Sequence, residues 1–454
     1  MNLLTSHFSS QHGEGHLAGP RANPDGAGGA PTAQSRIRSW IHPARSSPWW
    51  LLICSLILGA LAAKAANAPA PLRVGAAAVD LEGEDAMVIA GGIEPGRAKG
   101  QEGKLRAVAT VLESGNQRLA FVALDILMIR REHLDPVVSE IERDLGIPSA
   151  HVLINCTHTH HAPSTMVVHG YGLDETFVGR VQRSIVRAVR EATANLSDSR
   201  LFFHLGEERT VGENSRTLLD DGQIYWIGPR TNLVRPTGPF DPELPVLVFR
   251  EVQGDRLRAV WFNHSTHTIG TRQPGVRSPS FYGLAAQDLE AEMGGVFTFF
   301  EGASGSTHNL TLKGEECARR IRAAVADGVG KAQPMAVDRL AAVKRPIKFR
   351  VRDFNEVNEA AAVERYCRKY APGSAAVIER VFRSMREGLV NQRGAERETW
   401  VQAIRIGDIA WVGVPAEYFT QLGLDIKNRS PFRHTYIAEL ANDWIGYLPN
   451  REGH

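Results

Sequence analysis

His151-Val152-Leu153-Ile154-Asn155-Cys156-Thr157-His158-Thr159-His160-His161-Ala162-Pro163 is the stretch on which the fold turns. Its first half is a short run of β-branched and apolar residues, which reads as a buried strand. Its second half is polar and stops at a proline, so the strand empties into a loop. Eleven residues on, Asp174 is placed to cap a long helix whose apolar stripe is Phe177, Val181, Ile185, Ala188, Val189 and Ala192. Strand, loop and helix in that order are a unit of an α/β sheet, and side chains gather for chemistry outside the carboxyl ends of such strands.

The same alternation extends in both directions. Upstream, Leu72–Asp80 reads as a strand, and Ser114-Gly115-Asn116 joins the β-rich runs Leu105–Leu112 and Leu119–Ile129 as a hairpin. Glu132–Leu145 has helical spacing and stops at Gly146-Ile147-Pro148. The glycine-rich Ala90–Gly96 lacks the strand and helix that flank a phosphate loop, so it reads as an ordinary loop. Downstream, strands are expected at Val246–Arg250, Arg258–Phe262 and Val296–Phe300. Helices are expected at Phe281–Met293, at Glu315–Val329, and over Asn355–Leu389 with a break at Tyr370-Ala371-Pro372-Gly373. Val401–Ile406 and Ile409–Val414 form a hairpin around Gly407-Asp408. The expectation is α/β: a single large domain, residues 70–454, with a mixed β-sheet flanked by helices.

The first 68 residues differ in kind. Residues 1–46 are rich in Ser, Gly, Pro, His and Arg and read as a disordered basic leader. Residues 47–68 hold the apolar run Trp49–Ala63, preceded by Arg36, Arg38 and Arg45 and followed by Ala63-Lys64-Ala65. This is the order of a signal peptide, or of a membrane anchor if it is not cleaved. It implies a secreted or periplasmic protein. The chain has 454 residues and a formal charge of +2. Five of its basic and two of its acidic residues precede Ala65, so the remainder is close to neutral at −1. That balance, without a basic patch interleaved with aromatics, argues against a nucleic-acid partner. Of the four cysteines, Cys156, Cys317 and Cys367 follow the leader; they are too few for a disulfide scaffold and read as buried thiols.

Along a strand, side chains alternate, so His158 and His160 are expected on one face and His161 on the other. Two imidazoles on one face are a common way to hold a transition metal, but one His–x–His alone better suits a polar cluster at a loop mouth. Further histidines stand at two other strand ends. Val260-Trp261-Phe262-Asn263 runs into His264, then Ser265-Thr266-His267, and Gly302-Ala303-Ser304-Gly305-Ser306-Thr307 leads to His308. Six of the twelve histidines after the leader lie in these three loops, a concentration that packing alone does not require.

Here the sequence resembles the neutral, non-lysosomal ceramidases, secreted zinc amidases that cleave the N-acyl bond of ceramide. Thr157-His158-Thr159-His160 with Pro163 is similar to that family's Thr-His-Thr-His-Ser-Gly-Pro. Lys104–Ala107, Leu119–Ile129, Val260–His264, Val414-Pro415-Ala416-Glu417 and Trp444-Ile445-Gly446-Tyr447 resemble family segments in the same order. The resemblance covers roughly residues 72–454. It implies a zinc ion held by His158, His264, Glu417 and Tyr447. On residue type alone, Glu417 better suits the start of a helix and Tyr447 a core position beside Trp444.

The resemblance also gives His160 and Arg216 contacts to substrate and puts a catalytic serine in the Gly305–Asn309 stretch. Ser306 and His308 both fall there, and this is where the sequence departs from the family pattern. The C-terminal immunoglobulin-like domain of the family is not found. The reaction implied is hydrolysis of an N-acyl bond by metal-activated water, with His308 or His160 protonating the leaving amine. The substrate expected is a small-molecule or lipid amide, with membrane-surface contact through the leader or apolar loops. Two alternatives stand beside it: a zinc esterase or amidase with a non-lipid substrate, and a secreted metal-binding protein without catalysis.

Overall fold

A computed structural model describes residues 70–227 and 231–453, which belong to one compact unit. The leader and the signal or anchor segment lie outside the described residues. Nine strands form the main sheet: β1 (Arg73–Asp80), β2 (Arg106–Ser114), β3 (Gln117–Leu124), β4 (Val152–Cys156), β5 (Ser197–Glu207), β6 (Glu243–Glu251), β7 (Leu257–His264), β8 (Val296–Glu301) and β9 (Gln333–Met335). Their order is β8-β7-β6-β5-β1-β2-β3-β4, with β9 beside β5. The pairs β3–β4 and β7–β8 are parallel and the other pairs antiparallel, so the sheet is mixed as expected.

Four helices cover one face: α1 (Arg131–Leu145), α2 (Glu175–Ala194), α3 (Ser280–Met293) and α4 (Gly314–Lys331). Every residue of the α2 stripe is buried, and the Asp174 carboxylate accepts the Phe177 N–H at 2.9 Å. That bond satisfies one of the amides a helix start leaves open. Gly146 ends α1 in the left-handed conformation, at φ 66°.

The opposite face carries a second sheet rather than helices, and this the sequence reading did not anticipate. It is formed by β10 (Leu340–Arg350), β11 (Glu396–Ile406), β12 (Ile409–Gly413) and β13 (His434–Ala438), with β12 and β13 parallel. The two sheets close on an aromatic core of Phe121, Trp261, Phe300, Trp411 and Tyr436, all at most 1% exposed. Phe121 and Trp261 stand 4.5 Å apart between ring centroids. β10 escapes sequence reading because its exposed half is charged: Lys344, Arg345, Lys348 and Arg350 break the apolar run.

The helical zone after β10 is two helices, α5 (Glu356–Tyr370) and α6 (Ala375–Leu389), broken where the Pro372-Gly373 signal stands. A final helix, α7 (Thr420–Arg429), follows β12. Cys156, Cys317 and Cys367 are buried free thiols. Among the described residues no helix is long and apolar enough to cross a membrane.

Candidate metal centre

Three parallel strand pairs send their carboxyl ends to one place. β4 delivers His158 and His160, and β7 delivers the loop to His267. β8 delivers Ser304 to His308, β12 delivers Glu417, and β13 leads through Glu439 to Tyr447. Two asparagines join these ends. Asn155 accepts the Glu301 N–H at 3.0 Å and donates to the Glu439 carbonyl. Asn263 donates to the carbonyls of Phe300 (2.7 Å) and Ile437 (3.0 Å). The site is therefore assembled across both sheets.

At its centre, ligand-type nitrogens of His158, His160 and His267 lie within 4.8 Å of one another, a group that could hold a metal ion. The Glu417 carboxylate reaches the same point, with Oε2 at 3.5 Å from His158 Nε2 and 3.3 Å from His267 Nε2. Tyr447 closes it, its hydroxyl 3.1 Å from His267 Nε2. A two-residue parallel ladder holds Glu417 opposite Tyr447. His158, His267 and Glu417 are at most 2% exposed, whereas His160 and Tyr447 are only partly buried, so the cluster opens on their side.

His158 has φ 62°, the left-handed region that a residue carrying a Cβ enters at a cost. The strand thus ends at Cys156, and alternation does not continue through the histidines. The expected outcome still holds by another route. The backbone turn brings His160 Nε2 to 3.3 Å from His158 Nε2, and His161 Nε2 turns away to accept the Gly270 N–H at 3.2 Å.

Nδ1 of His158 pairs with the Leu127 carbonyl at 3.0 Å, and Nδ1 of His267 with the Ser304 carbonyl at 2.8 Å. Each carbonyl requires a proton on Nδ1, which leaves Nε2 lone pairs aimed inward when the rings are neutral. Trp444 Nε1 donates to Glu417 Oε1 at 3.0 Å, which reserves Oε2 for the histidines.

The donor set suits a cation. Burial alone would raise the Glu417 carboxyl, yet bonds from His158 and His267 hold it well below the usual range. Burial pulls the His158 imidazole down, and Glu417 outweighs it to leave the ring raised. An ionised carboxylate enclosed by imidazoles in a water-poor pocket is a donor set that fits a divalent ion. Desolvation and Glu417 push the Tyr447 phenol well above its ordinary range.

The third histidine of the cluster is His267; the structure does not bring His264, the histidine expected from the sequence, to it. β7 alternates Val260, Phe262 and His264 onto the helix-covered face, where His264 Nδ1 meets the Tyr282 hydroxyl at 2.5 Å and Nε2 the Glu208 carbonyl at 2.9 Å. Both ring nitrogens are engaged away from the cluster. His267 stands three residues beyond the strand end, in the loop that follows.

Ser306 is also not brought to the cluster. Its Oγ accepts the Thr420 N–H at 3.2 Å, which ties its loop to the start of α7. His308 is: its ring stacks on His267 at 3.9 Å, and Nδ1 lies 2.8 Å from Ser215 Oγ. Arg216 is buried beside Tyr447, its guanidinium carbon 5.5 Å from that ring, with Nη1 donating to the Trp226 carbonyl at 2.5 Å. Glu417 does not start a helix; it lies in a two-residue strand, and α7 begins at Thr420. Ala90–Gly96 is more than an ordinary loop, because the His160 ring lies against Gly91. A Cβ there would fall 2.4 Å from His160 Nδ1, and φ is +105°.

No protein-family model matches the chain. Neutral ceramidase of Pseudomonas aeruginosa is 28% identical to it over 286 residues. The chain is homologous to neutral ceramidase. The matched part is 59% of this chain and 41% of that protein, so the chain spans about two fifths of the curated relative's length. The crystal structure of neutral ceramidase from Pseudomonas aeruginosa matches with a TM-score of 0.64 at 21% identity, over 85% of this chain and 69% of that one. A ceramidase complexed with C2 matches with a TM-score of 0.64 at 20% identity, over 85% and 70%. The ceramidase fold is shared with these two structures.

Proposed function

We propose that the chain is a zinc-dependent amidohydrolase that cleaves the N-acyl bond of a lipid amide. The observation that carries this reading is the buried cluster of His158, His160, His267, Glu417 and Tyr447, supported by homology to a ceramidase. His158, His267, Glu417 and Tyr447 are the proposed ligands: two imidazoles, a carboxylate and a phenol. A zinc ion bound by them supplies Lewis-acid activation of water and of an acyl carbonyl near neutral pH.

The remaining chemistry belongs to the chain's own residues. His160, on the open side, is in reach of a substrate carbonyl or its attacking water, and its Nε2 donates or accepts according to tautomer. Arg216, fixed by the Trp226 carbonyl, offers a permanent positive charge beside Tyr447, where an oxyanion would be stabilised. His308, oriented by Ser215, is the candidate to pass a proton to the leaving amine, with His160 as the alternative. Ser306, engaged with Thr420, takes no part. The preference for a lipid amide draws on the relative, and the leader, read as an export signal or anchor, supports an activity outside the cytoplasm or at a membrane surface.

Elemental analysis of the purified chain, joined to a hydrolysis panel of ceramide, an N-acyl amino acid and an ester, tests the reading. Zinc retention with ceramide turnover is expected. Turnover of only the N-acyl amino acid or the ester moves the substrate out of the lipid class, and a chain that binds no metal and cleaves none of the panel overturns the proposal.

A further inference from the structure

Directly behind the cluster, and outside the roles given above, lies Glu439. It is 0% exposed and immediately follows β13. Its carboxylate receives three donors: Ser304 Oγ at 2.6 Å on Oε1, and the N–H groups of Ser304 (3.0 Å) and Tyr418 (2.7 Å) on Oε2. None of these is a ligand, but each is adjacent to one. The Ser304 carbonyl holds His267 Nδ1, and Tyr418 is the residue after Glu417. The Tyr418 carbonyl in turn accepts the Gly305 N–H at 3.0 Å, closing a small ring between the two loops. On its backbone side, the Glu439 carbonyl takes the Asn155 amide from the end of β4, three residues before His158.

We propose that Glu439 is the positioning residue of the metal centre. One carboxylate ties the Ser304 loop to the Glu417 turn and, through the Ser304 carbonyl, fixes the His267 tautomer. The inference rests on the metal reading above. The physical reason is that both loops are irregular backbone. Between β8 and Thr307, and between β12 and α7, the amides of Ser304 and Tyr418 take the Glu439 carboxylate as their partner. A buried carboxylate that accepts from two such amides is expensive to lose, because its partners remain buried. A hydrophobic residue would fill the space without linking the loops.

The test compares Glu439→Asp, Glu439→Ala and Glu439→Gln with wild type for zinc affinity, measured by competition with a chromophoric chelator, alongside Tm and far-UV circular dichroism. Aspartate is about 1.5 Å shorter and cannot reach both amides. Glutamine keeps an oxygen for them and an amide group facing Ser304 Oγ. The expected result is zinc binding about 10- to 100-fold weaker in Asp and Ala, with recovery to near wild type in Gln at a similar Tm. If Ala does not fold, Asp carries the comparison. Folded Asp and Ala variants that bind zinc as tightly as wild type overturn the positioning role and leave the metal reading intact. A wild-type chain with no measurable zinc affinity overturns the metal reading, and the role of Glu439 with it.

Discussion

Gly91 shows how much a single residue can decide here. Its Cα lies against the His160 ring, at a positive φ, so Gly91→Ala pushes that imidazole out of the cluster. Displacing a reacting group by about 1 Å costs on the order of 100-fold in rate. We therefore expect kcat to fall about that much in Gly91→Ala, with zinc content kept, since His160 is not a proposed ligand. Unchanged kcat would remove His160 from the reaction. Trp444→Phe deletes the donor to Glu417 Oε1 and frees the carboxylate to rotate. Zinc affinity should drop about tenfold by chelator competition, and an unaltered affinity would leave the indole a packing residue only. At this scale the sequence spoke partly. The family resemblance brought forward His158, Glu417 and Tyr447, which the structure sets side by side, and the gathering of histidines was legible from their count. The choice of His267 over His264 was not, because it depends on where β7 stops and which face its last residue takes. Gly91 and Glu439 carry no local signature, since their partners are 21 or more residues away in sequence.

Among the elements, the junction of β2, β3 and β4 contains a buried carboxyl, Asp125. It accepts the Arg106 N–H at 2.9 Å and the Thr157 hydroxyl at 3.2 Å. Burial, partly offset by the Arg106 charge, pushes its pKa up to about 7 from 3.8. Between those values the folded chain holds a proton that the unfolded chain has released. This group's contribution to stability is therefore highest below about pH 4, declines as pH rises through about 7, and then levels off. The decline amounts to at most about 4 kcal/mol. Urea unfolding at several pH values should show it in wild type and not in Asp125→Asn, whatever fixed offset the lost acceptor adds; parallel profiles would refute the assignment. Elements were also where sequence reading was strongest. The cap at Asp174, the stop at Gly146 and the hairpins at Gly115 and Gly407 all rest on interactions within a few residues. β10 and β13 were missed because what makes them strands is the sheet on which they pack.

For the molecule as a whole, the decisive feature is that the candidate centre spans two sheets. His158, His160 and His267 follow strands of the large sheet, while Glu417 and Tyr447 follow strands of the small one. The aromatic layer between the sheets sets the distance between these halves. Trp411→Ala should therefore cost about 3–5 kcal/mol of stability and weaken zinc binding together, under conditions where the chain remains folded. A stability loss with undiminished zinc affinity would show that the halves are held some other way. The α/β class was legible in the alternation of elements, but the second sheet, and so the way the site is closed, was not. The central claim is that the buried cluster is a metal centre with His267, not His264, among its ligands. Metal content of His267→Ala and His264→Gln, purified beside wild type, tests it most directly. About one zinc ion per chain is expected in wild type and in His264→Gln, and loss of zinc with turnover in His267→Ala. Retention of zinc by His267→Ala, with its loss in a folded His264→Gln, would contradict it.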